Sequence, residues 1–512
     1  MNPDRALPSF IEGYGTVRPY RSSEPLNVAK PASVRMYAVQ TGHSKCLASI
    51  DAALQACEVG DGATLSFHHH LRNGDHVLNM VMEVCAARGL KGLTVAASSL
   101  FPIHAPLVAH MRSGLVARIV TAYMSGPVAD AVSDGVLSRP VVMQTHGGRA
   151  RSIETGELHI DVAFIGAPSA DDYGNINGAH GPSACGPLGY AMVDARYADR
   201  VVAVTDHLVP YPACPIDISQ DLVDFVVRVD SIGDPKGILS GTTRPTSDPV
   251  GLEIAHAAAR VIAASGLLVD GFSFQTGAGG ISLAVAMQLR ALMQASGVKG
   301  SFAAGGITGH LCAMLDEGLF RTLFDVQCFD LASVESYRRD PRHQAMSASL
   351  YASPCNRGAV VDRLDAMILG AAEVDVDFNV NVITGSTGRI LGGSGGHADT
   401  AAGSKLAIVT TRLASAAGPK IVQRVNCVTT PGESIDVVVT EAGIAVNPRR
   451  NQLARDLVAA GLPVKSIDEL CVLAAAHHGP RTPRKEGVSR VVGVVEYRDG
   501  SVIDVIRLAP RC

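Results

Sequence analysis

The sequence predicts an α/β protein built as two similar halves, each a mainly parallel sheet covered by helices. Three observations carry that expectation. Short Val/Ile-rich runs alternate with longer stretches of helical periodicity, which implies repeated strand–helix units and a parallel sheet. Several of the runs are continuously apolar, as strands buried on both faces must be. A stretch rich in Gly, Pro, Ser and Thr, SIGDPKGILSGTTRPTSDP at Ser231–Pro249, divides the 512 residues near their middle.

The strand-like runs are Val116–Thr121, His159–Ile165, Val201–Thr205, Leu222–Val229, Ala366–Gly370, Asn379–Ile383 and Ile435–Thr440. Helical stretches are Leu47–Cys57, His76–Arg88, Leu252–Ser265, Ile281–Gln294, Arg449–Ala460 and Ile467–His477. In the third of these, Leu252, Ala255, Ala259 and Ile262 recur on one face at helical spacing. Each half also carries an apolar strand that runs through acidic residues to N-x-N: DVAFIGAPSADDYGNINGA at 161–179 and EVDVDFNVNVITG at 373–385. This repetition predicts related halves with a cleft between them. The division expected is an N-terminal extension at 1–44, a first domain at 45–235 and a second at 236–512. The extension, MNPDRALPSFIEGYGTVRPYRSSEP at its start, lacks the apolar core of a signal peptide. It reads as a polar segment laid over a surface, or partly disordered.

Composition narrows the function. With 47% hydrophobic and 18% charged residues the chain can bury a sizeable core. It has no Trp and only 4% aromatic residues, so Ala, Val, Leu and Ile must build that core. The net charge is −4 and no long basic cluster occurs. Nucleic acid is therefore not an expected partner, because that affinity begins with phosphate neutralisation. No stretch approaches 18 uncharged apolar residues, so no membrane span is expected. Eleven scattered cysteines, none in C-x-x-C, suit a reduced cytoplasmic protein better than a disulfide scaffold. The 17 histidines include no H-E-x-x-H and no zinc spacing, so no metal is expected.

Four segments carry candidate chemistry. GGSGGHADT at 392–400 has four glycines in its first five positions. Such a run makes a poor helix or strand, but it turns sharply and presents backbone N–H groups. With His397 and Asp399 following, it suits a site where negative charge develops on an oxygen, as in acyl transfer. QTGAGG at Gln275–Gly280 opens the helix expected at Ile281, and AGGITG spans Ala304–Gly309. Both are placed at carboxyl ends of strands, where open α/β sheets bind ligands. QTGAGG reads equally as an anion cradle at a helix N-terminus or as a tight strand–helix turn. FHHHLRNGD at 67–75 reads as a carboxylate clamp, since Arg offers paired donors and His adds more. THGGR at 145–149 could bind an anion but reads rather as structural, and Glu441, at a strand end where a carboxylate can be catalytic, reads rather as a cap. There is no G-x-x-x-x-G-K-[ST] and no G-x-S-x-G, so neither a Walker site nor a hydrolase elbow is supported.

Taken in order, ADDYGNINGA, EVDVDFNVN, GGSGGHADT and VTEAGIAVNP resemble the CoA-transferase-like enzymes. SFHHHLRNGD, SSLFPIHAPLV, GFSFQTGAGGISLAV, FDVQCFD and YRDGSVIDV resemble, more closely, the citrate lyase alpha subunit family. The likeness runs from about Lys45 to Asp504. It implies two CoA-transferase-like domains. It implies a transferase that exchanges the acetyl group of acetyl-[acyl-carrier protein] for citrate, giving citryl-[acyl-carrier protein] and acetate. It further implies a complex with a beta subunit, which cleaves the citryl thioester, and an acyl-carrier (gamma) subunit. No cofactor would be bound permanently, because the carrier supplies a CoA-derived prosthetic arm.

On that reading His68, His69, Arg72 and Asn73 hold citrate. The amides of Gly279, Gly280, Gly395 and Gly396 face the developing oxyanion, with His397 beside them. Gly277, Gly305, Gly306, Asn379, Asn381 and Asp399 line the path of the arm. One departure stands out. Many CoA-transferases carry a glutamate in a motif resembling I-H-T-E-M, whereas this chain reads Ile307-Thr308-Gly309-His310-Leu311. With His310 in that place, citrate itself is expected to attack the thioester. The alternatives are a stand-alone CoA-transferase acting on free acyl-CoA, and a binding scaffold without activity.

Overall fold

The structure, a computed structural model, describes residues 7–21, 32–34, 44–239, 244–478 and 490–508. In the first half seven parallel strands follow one another: Thr64–Phe67, Leu93–Ala97, Val116–Thr121, Val141–Met143, Val162–Ala167, Arg200–Thr205 and Phe225–Arg228. The second to fourth build outward from one side of the opening strand, and the fifth to seventh from its other side. The second half repeats this order with Ser273–Thr276, Gly300–Ile307, Phe320–Cys328, His343–Ala345, Ala366–Gly370, Leu406–Thr410 and Val437–Thr440. An antiparallel strand, Gly443–Val446, extends it. In each sheet the build direction reverses between the first and fifth strands. The carboxyl ends on either side of that reversal form the crevice where open α/β sheets bind ligands.

The predicted helices are present as Ile50–Ala56, Val77–Ala87, Pro249–Ala264, Gly280–Ser296, Asn451–Ala459 and Ile467–His478. Pro249–Ala264 starts where its sequence dictates: the Asp248 carboxylate accepts from the Gly251 amide at 2.7 Å, and Pro249 needs no amide partner at the first helical position. Most of the long second-half helix is apolar on the face that covers the sheet, where Leu283, Leu289 and Met293 are buried.

The acidic-to-Asn turns are the same device used twice. Asp171 accepts from the Tyr173 and Asn175 amides and from the Asn175 side chain, at 2.9, 3.1 and 2.8 Å. Asp375 accepts from the Asp377 and Asn379 amides and the Asn379 side chain, at 3.1, 2.9 and 3.2 Å. Asn177 then caps the amides of Ala179 and His180, as Asn381 caps those of Ile383 and Thr384. The run expected as a strand at Asn379–Ile383 is mostly this turn, with only Val380–Asn381 paired.

The expected division fails at the C-terminus. The hairpin Val491–Glu496 with Val502–Arg507 belongs to the first sheet, where Gly493–Val495 pairs in parallel with Val141–Met143. Of the extension, residues 7–21 lie on that hairpin: Ile11 and Val17 pack with Val494 and Val502, and the Tyr20 amide donates to the Val502 carbonyl at 2.9 Å. Pairing across so long a sequence separation leaves no local signature. One buried cluster includes Leu65 and Phe164 of the first half, Val326 and Tyr351 of the second, and Ile503 of the hairpin, so the halves share a core. Among the described residues no helix is long and apolar enough to cross a membrane. Their cysteines are all free.

Ile503 is fully buried in that shared cluster. Ile503→Ala is expected to lower the urea-derived unfolding free energy by about 2–5 kcal/mol. An unchanged midpoint would mean that the hairpin contributes nothing to the core.

Candidate functional site

The carboxyl ends of the two sheets meet, and the sequence motifs converge there. The histidine turn leaves the opening strand of the first half at Phe67. The glycine turn 277–280 leaves the opening strand of the second half at Thr276. Gln327, at the end of a second-half strand, donates to the His69 carbonyl at 2.7 Å. The Arg72 guanidinium lies between two rings, 4.9 Å from Phe101 of the first half and 5.3 Å from Phe329 of the second. Arg72 has φ of 51°, a conformation uncommon outside glycine and typical of backbone held for a purpose.

Around Arg72 the aromatic residues form a stack. The Tyr190 ring is 4.6 Å from both His69 and His146, and 6.0 Å from His70. Burial, reinforced by neighbouring positive groups, pushes His69 well down, and lowers His70 and His146 to about 3. These three are therefore neutral at pH 7 and act as hydrogen-bonding groups, not as cations. His68 lies 3.3 Å from Asp194, which also takes a bidentate pair from Arg149 at 2.7 and 2.8 Å. Burial alone would raise the Asp194 carboxyl, but Arg149 and His68 outweigh it and hold it well below the usual range.

The glycine loop of the second half is stitched into the first. The Gly395 amide donates to the Ala122 carbonyl at 3.0 Å, and its carbonyl accepts from the His146 amide at 2.8 Å. A Cβ on Gly393 would lie 2.2 Å from the Ala122 carbonyl oxygen, and one on Gly396 would lie 2.3 Å from the Tyr351 hydroxyl. Only glycine permits this approach. Asp399 locks the join: its carboxylate accepts from the Thr145 hydroxyl and the Gly147 amide, each at 2.9 Å, with Arg498 3.6 Å away.

Several sequence-based assignments need correction. The Gly395 amide is committed to Ala122 and is not available to an oxyanion. His397 uses both ring nitrogens, Nε2 donating to the Gly370 carbonyl at 2.9 Å and Nδ1 accepting from Thr430 at 2.7 Å. With burial lowering it to about 4, it is a neutral strut. Gly305 and Gly306 lie inside the strand Gly300–Ile307, not in a loop; there a Cβ would strike Gln275 and Phe329, so these glycines serve packing. Asn379 and Asn381 are consumed by their own turn, through Gly432, Asp375, Glu373 and Thr384. Asn73 accepts from the Ile103 amide at 3.0 Å and fixes the neighbouring turn. Asp399 joins the halves, which differs from lining a path for an arm. His68 serves Asp194. His69 and Arg72 face the seam. The Gly277 amide is committed to the Ile368 carbonyl at 2.8 Å. Gly279 and Gly280 are partly exposed at the start of the helix Gly280–Ser296, whose first N–H groups have no intrahelical acceptor. His310 sits half-buried in the first turn of Gly309–Asp316. Glu441 accepts from the Leu413 amide, as a cap does.

Tyr190 and Tyr351 entered no sequence assignment, since isolated aromatic residues carry no spacing signal, and His146 entered only within THGGR, which reads as structural. The buried polar atoms at the seam with no hydrogen-bond partner among the described residues include His70 Nε2, His146 Nδ1, Gln275 Oε1 and Ser394 Oγ. Each such group costs about 1–3 kcal/mol when left unpaired, so a ligand that pairs them binds where nothing else would. Elsewhere, Asp325, Cys328 and His343 converge in the second half, but they bond one another: Asp325 accepts from His343 at 3.0 Å and from Cys328 at 3.1 Å.

Comparison with known proteins decides the family. A family model for the citrate lyase alpha subunit matches residues 43–509. The chain belongs to the citrate lyase alpha subunit family. It is 48% identical over 462 residues to the citrate lyase alpha chain of Escherichia coli K12, covering 90% of each. A Streptococcus mutans crystal structure, described as a citrate lyase alpha subunit in complex with citrate, superimposes with a TM-score of 0.95 at 46% identity over 100% of both chains. A 4-hydroxybutyrate CoA-transferase of Porphyromonas gingivalis, 18% identical, matches 81% of this chain and 93% of its own with a TM-score of 0.54, and so shares the fold. An alpha chain of this family is a transferase and one component of a multi-subunit assembly.

Asp399 yields a pH prediction. Burial raises its carboxyl to about 6, partly opposed by Arg498, the Gly147 amide and the Thr145 hydroxyl. The unfolded value is about 3.9, so between these limits the folded state holds a proton that the unfolded state has released. The stability this gives is complete below about pH 4 and lost as pH rises through 6. Asp399→Asn should therefore flatten the fall in unfolding free energy between pH 5 and 7 by roughly 1–2 kcal/mol. Asp217 and Asp375 are raised alike and leave a residual slope. An unaltered slope in the variant would refute this role.

Proposed function

We propose that this chain exchanges the acetyl group of an acetyl-[acyl-carrier protein] for citrate, releasing acetate, in a cytoplasmic complex with a citrate lyase beta subunit and an acyl-carrier (gamma) subunit. Its relatives favour this over a stand-alone CoA-transferase. The observation that carries the reading is the seam itself. A buried guanidinium and neutral histidines from one sheet end meet a partly exposed glycine turn from the other, which is what a carboxylate and a thioester need together.

The residues divide the work. Arg72 supplies the charge that a tricarboxylate requires, and His69, His70 and His146 add neutral donors. Gly277, Gly279 and Gly280 would hold the CoA-derived arm, whose thioester supplies the acyl group. The cradle fits: it is partly exposed, has no Cβ at Gly279 or Gly280 and opens a 17-residue helix. The Gly279, Gly280 and Gly396 amides face the region where negative charge develops on the acyl oxygen. Burial of the seam excludes water and protects an anhydride-like intermediate from hydrolysis. His310 leaves the second half without the glutamate nucleophile of other CoA-transferases. Exchanging one carboxylate for another on a thioester is nearly balanced, so no nucleotide is needed.

The test is exchange of labelled acetate into the acetyl-carrier and its citrate-dependent release by the assembled complex. Initial rates with both substrates varied should intersect; parallel lines would reveal an acyl-enzyme and overturn direct attack. Arg72→Lys keeps the charge and loses the planar fork. It should cut kcat/KM for citrate at least ~10-fold with folding intact by circular dichroism. Unchanged citrate dependence would remove Arg72 from the site.

A further inference from the structure

We propose that Gln275 and Ser394 form a subsite that reads the substrate's hydroxyl, making this enzyme select α-hydroxy acids over their deoxy analogues. The proposal rests on the citrate-transfer reading above.

Gln275 is the penultimate residue of the second half's opening strand, at the reversal point of the sheet, and is 4% exposed. The fold is shaped around its side chain. Gly305 has φ of 98°, and a Cβ there would lie 2.3 Å from Gln275 Nε2. That nitrogen donates to the Tyr351 hydroxyl at 2.7 Å, which fixes the amide. The Tyr351 hydroxyl in turn abuts Gly396 of the glycine loop. Gln275 therefore stands one hydrogen bond from that loop, and its Oε1 is a buried acceptor with no donor among the described residues. Ser394, in the same loop and also 4% exposed, has a buried hydroxyl with no partner among the described residues.

The chemistry of these atoms selects the ligand. Carboxylate oxygens only accept, so they can pair with N–H and O–H donors but never with Gln275 Oε1. A ligand must bring a donor. Ionised citrate has one, its tertiary hydroxyl, which can donate to Gln275 while accepting from Ser394. Tricarballylate carries the same three carboxylates without the hydroxyl. Binding it would leave Gln275 Oε1 unpaired, since a carboxylate brings no donor, and sites built to pair a substrate hydroxyl reject the analogue lacking it strongly.

The experiment measures kcat/KM for citrate and for tricarballylate with the assembled complex and acetyl-carrier as donor. The parent enzyme should prefer citrate by at least ~100-fold. Gln275→Met should lower the citrate value at least ~10-fold and leave tricarballylate within about twofold, so that the ratio collapses. Ser394→Ala removes a single oxygen, and should lower the ratio by roughly threefold or more. It keeps the test decisive if Gln275→Met does not assemble. Loss of fold alone would depress both acids together and leave the ratio unchanged. A parent that uses the two acids equally, or folded variants that keep the parent's ratio, would overturn the subsite while leaving citrate transfer in place. A parent that transfers neither acid would overturn citrate transfer itself, and the subsite with it.

Discussion

The Asp399 carboxylate bridging Thr145 and Gly147 is the constraint on which the site depends. It ties the glycine loop of one half to the helix start of the other, across a joint where both backbones come within contact distance. Gly393 and Gly396 permit that approach, and the parallel bridge between Thr145 and Gly395 extends it. The seam behaves as one packed object. A side chain at either glycine would have to displace backbone or the Tyr351 hydroxyl, and close-packed interiors resist such shifts.

Electrostatics at the seam follow from burial. Three buried imidazoles beside a guanidinium stay neutral, because a buried medium solvates charge poorly. Asp194 shows the opposite balance. Two well-placed partners hold it ionised although it is fully buried. One region thus holds a buried guanidinium beside a set of uncharged imidazoles. The unpaired atoms there are the complement of a polar ligand.

The two halves explain why the site has two different walls. The same strand order and the same Asp–Asn turn recur, so equivalent strand ends face each other. The halves diverge just after the opening strand: three histidines and an arginine stand there in one, glycines at a helix start in the other. One wall suits a compact polyanion and the other a backbone-lined path for a longer group.

Much of this was legible along the chain. Continuous apolar runs announced parallel strands, and helical periodicity placed six helices within a few residues, because both signals are local. The repeated D-x-x-x-N-x-N spacing disclosed the duplication, since each turn closes on itself. The motifs of the family pointed to the chemistry. What the sequence could not decide is which polar groups stay free. Gly395, His397, Asn379 and Asn381 looked available, but folding supplied each with a partner, whereas Gln275 Oε1 and Ser394 Oγ have none among the described residues. The C-terminal hairpin likewise joined the first sheet because strand pairing is decided by edge geometry, which has no trace in nearby residues. Local order is written in spacing; availability at a site is settled only when distant segments have satisfied their hydrogen bonds against one another.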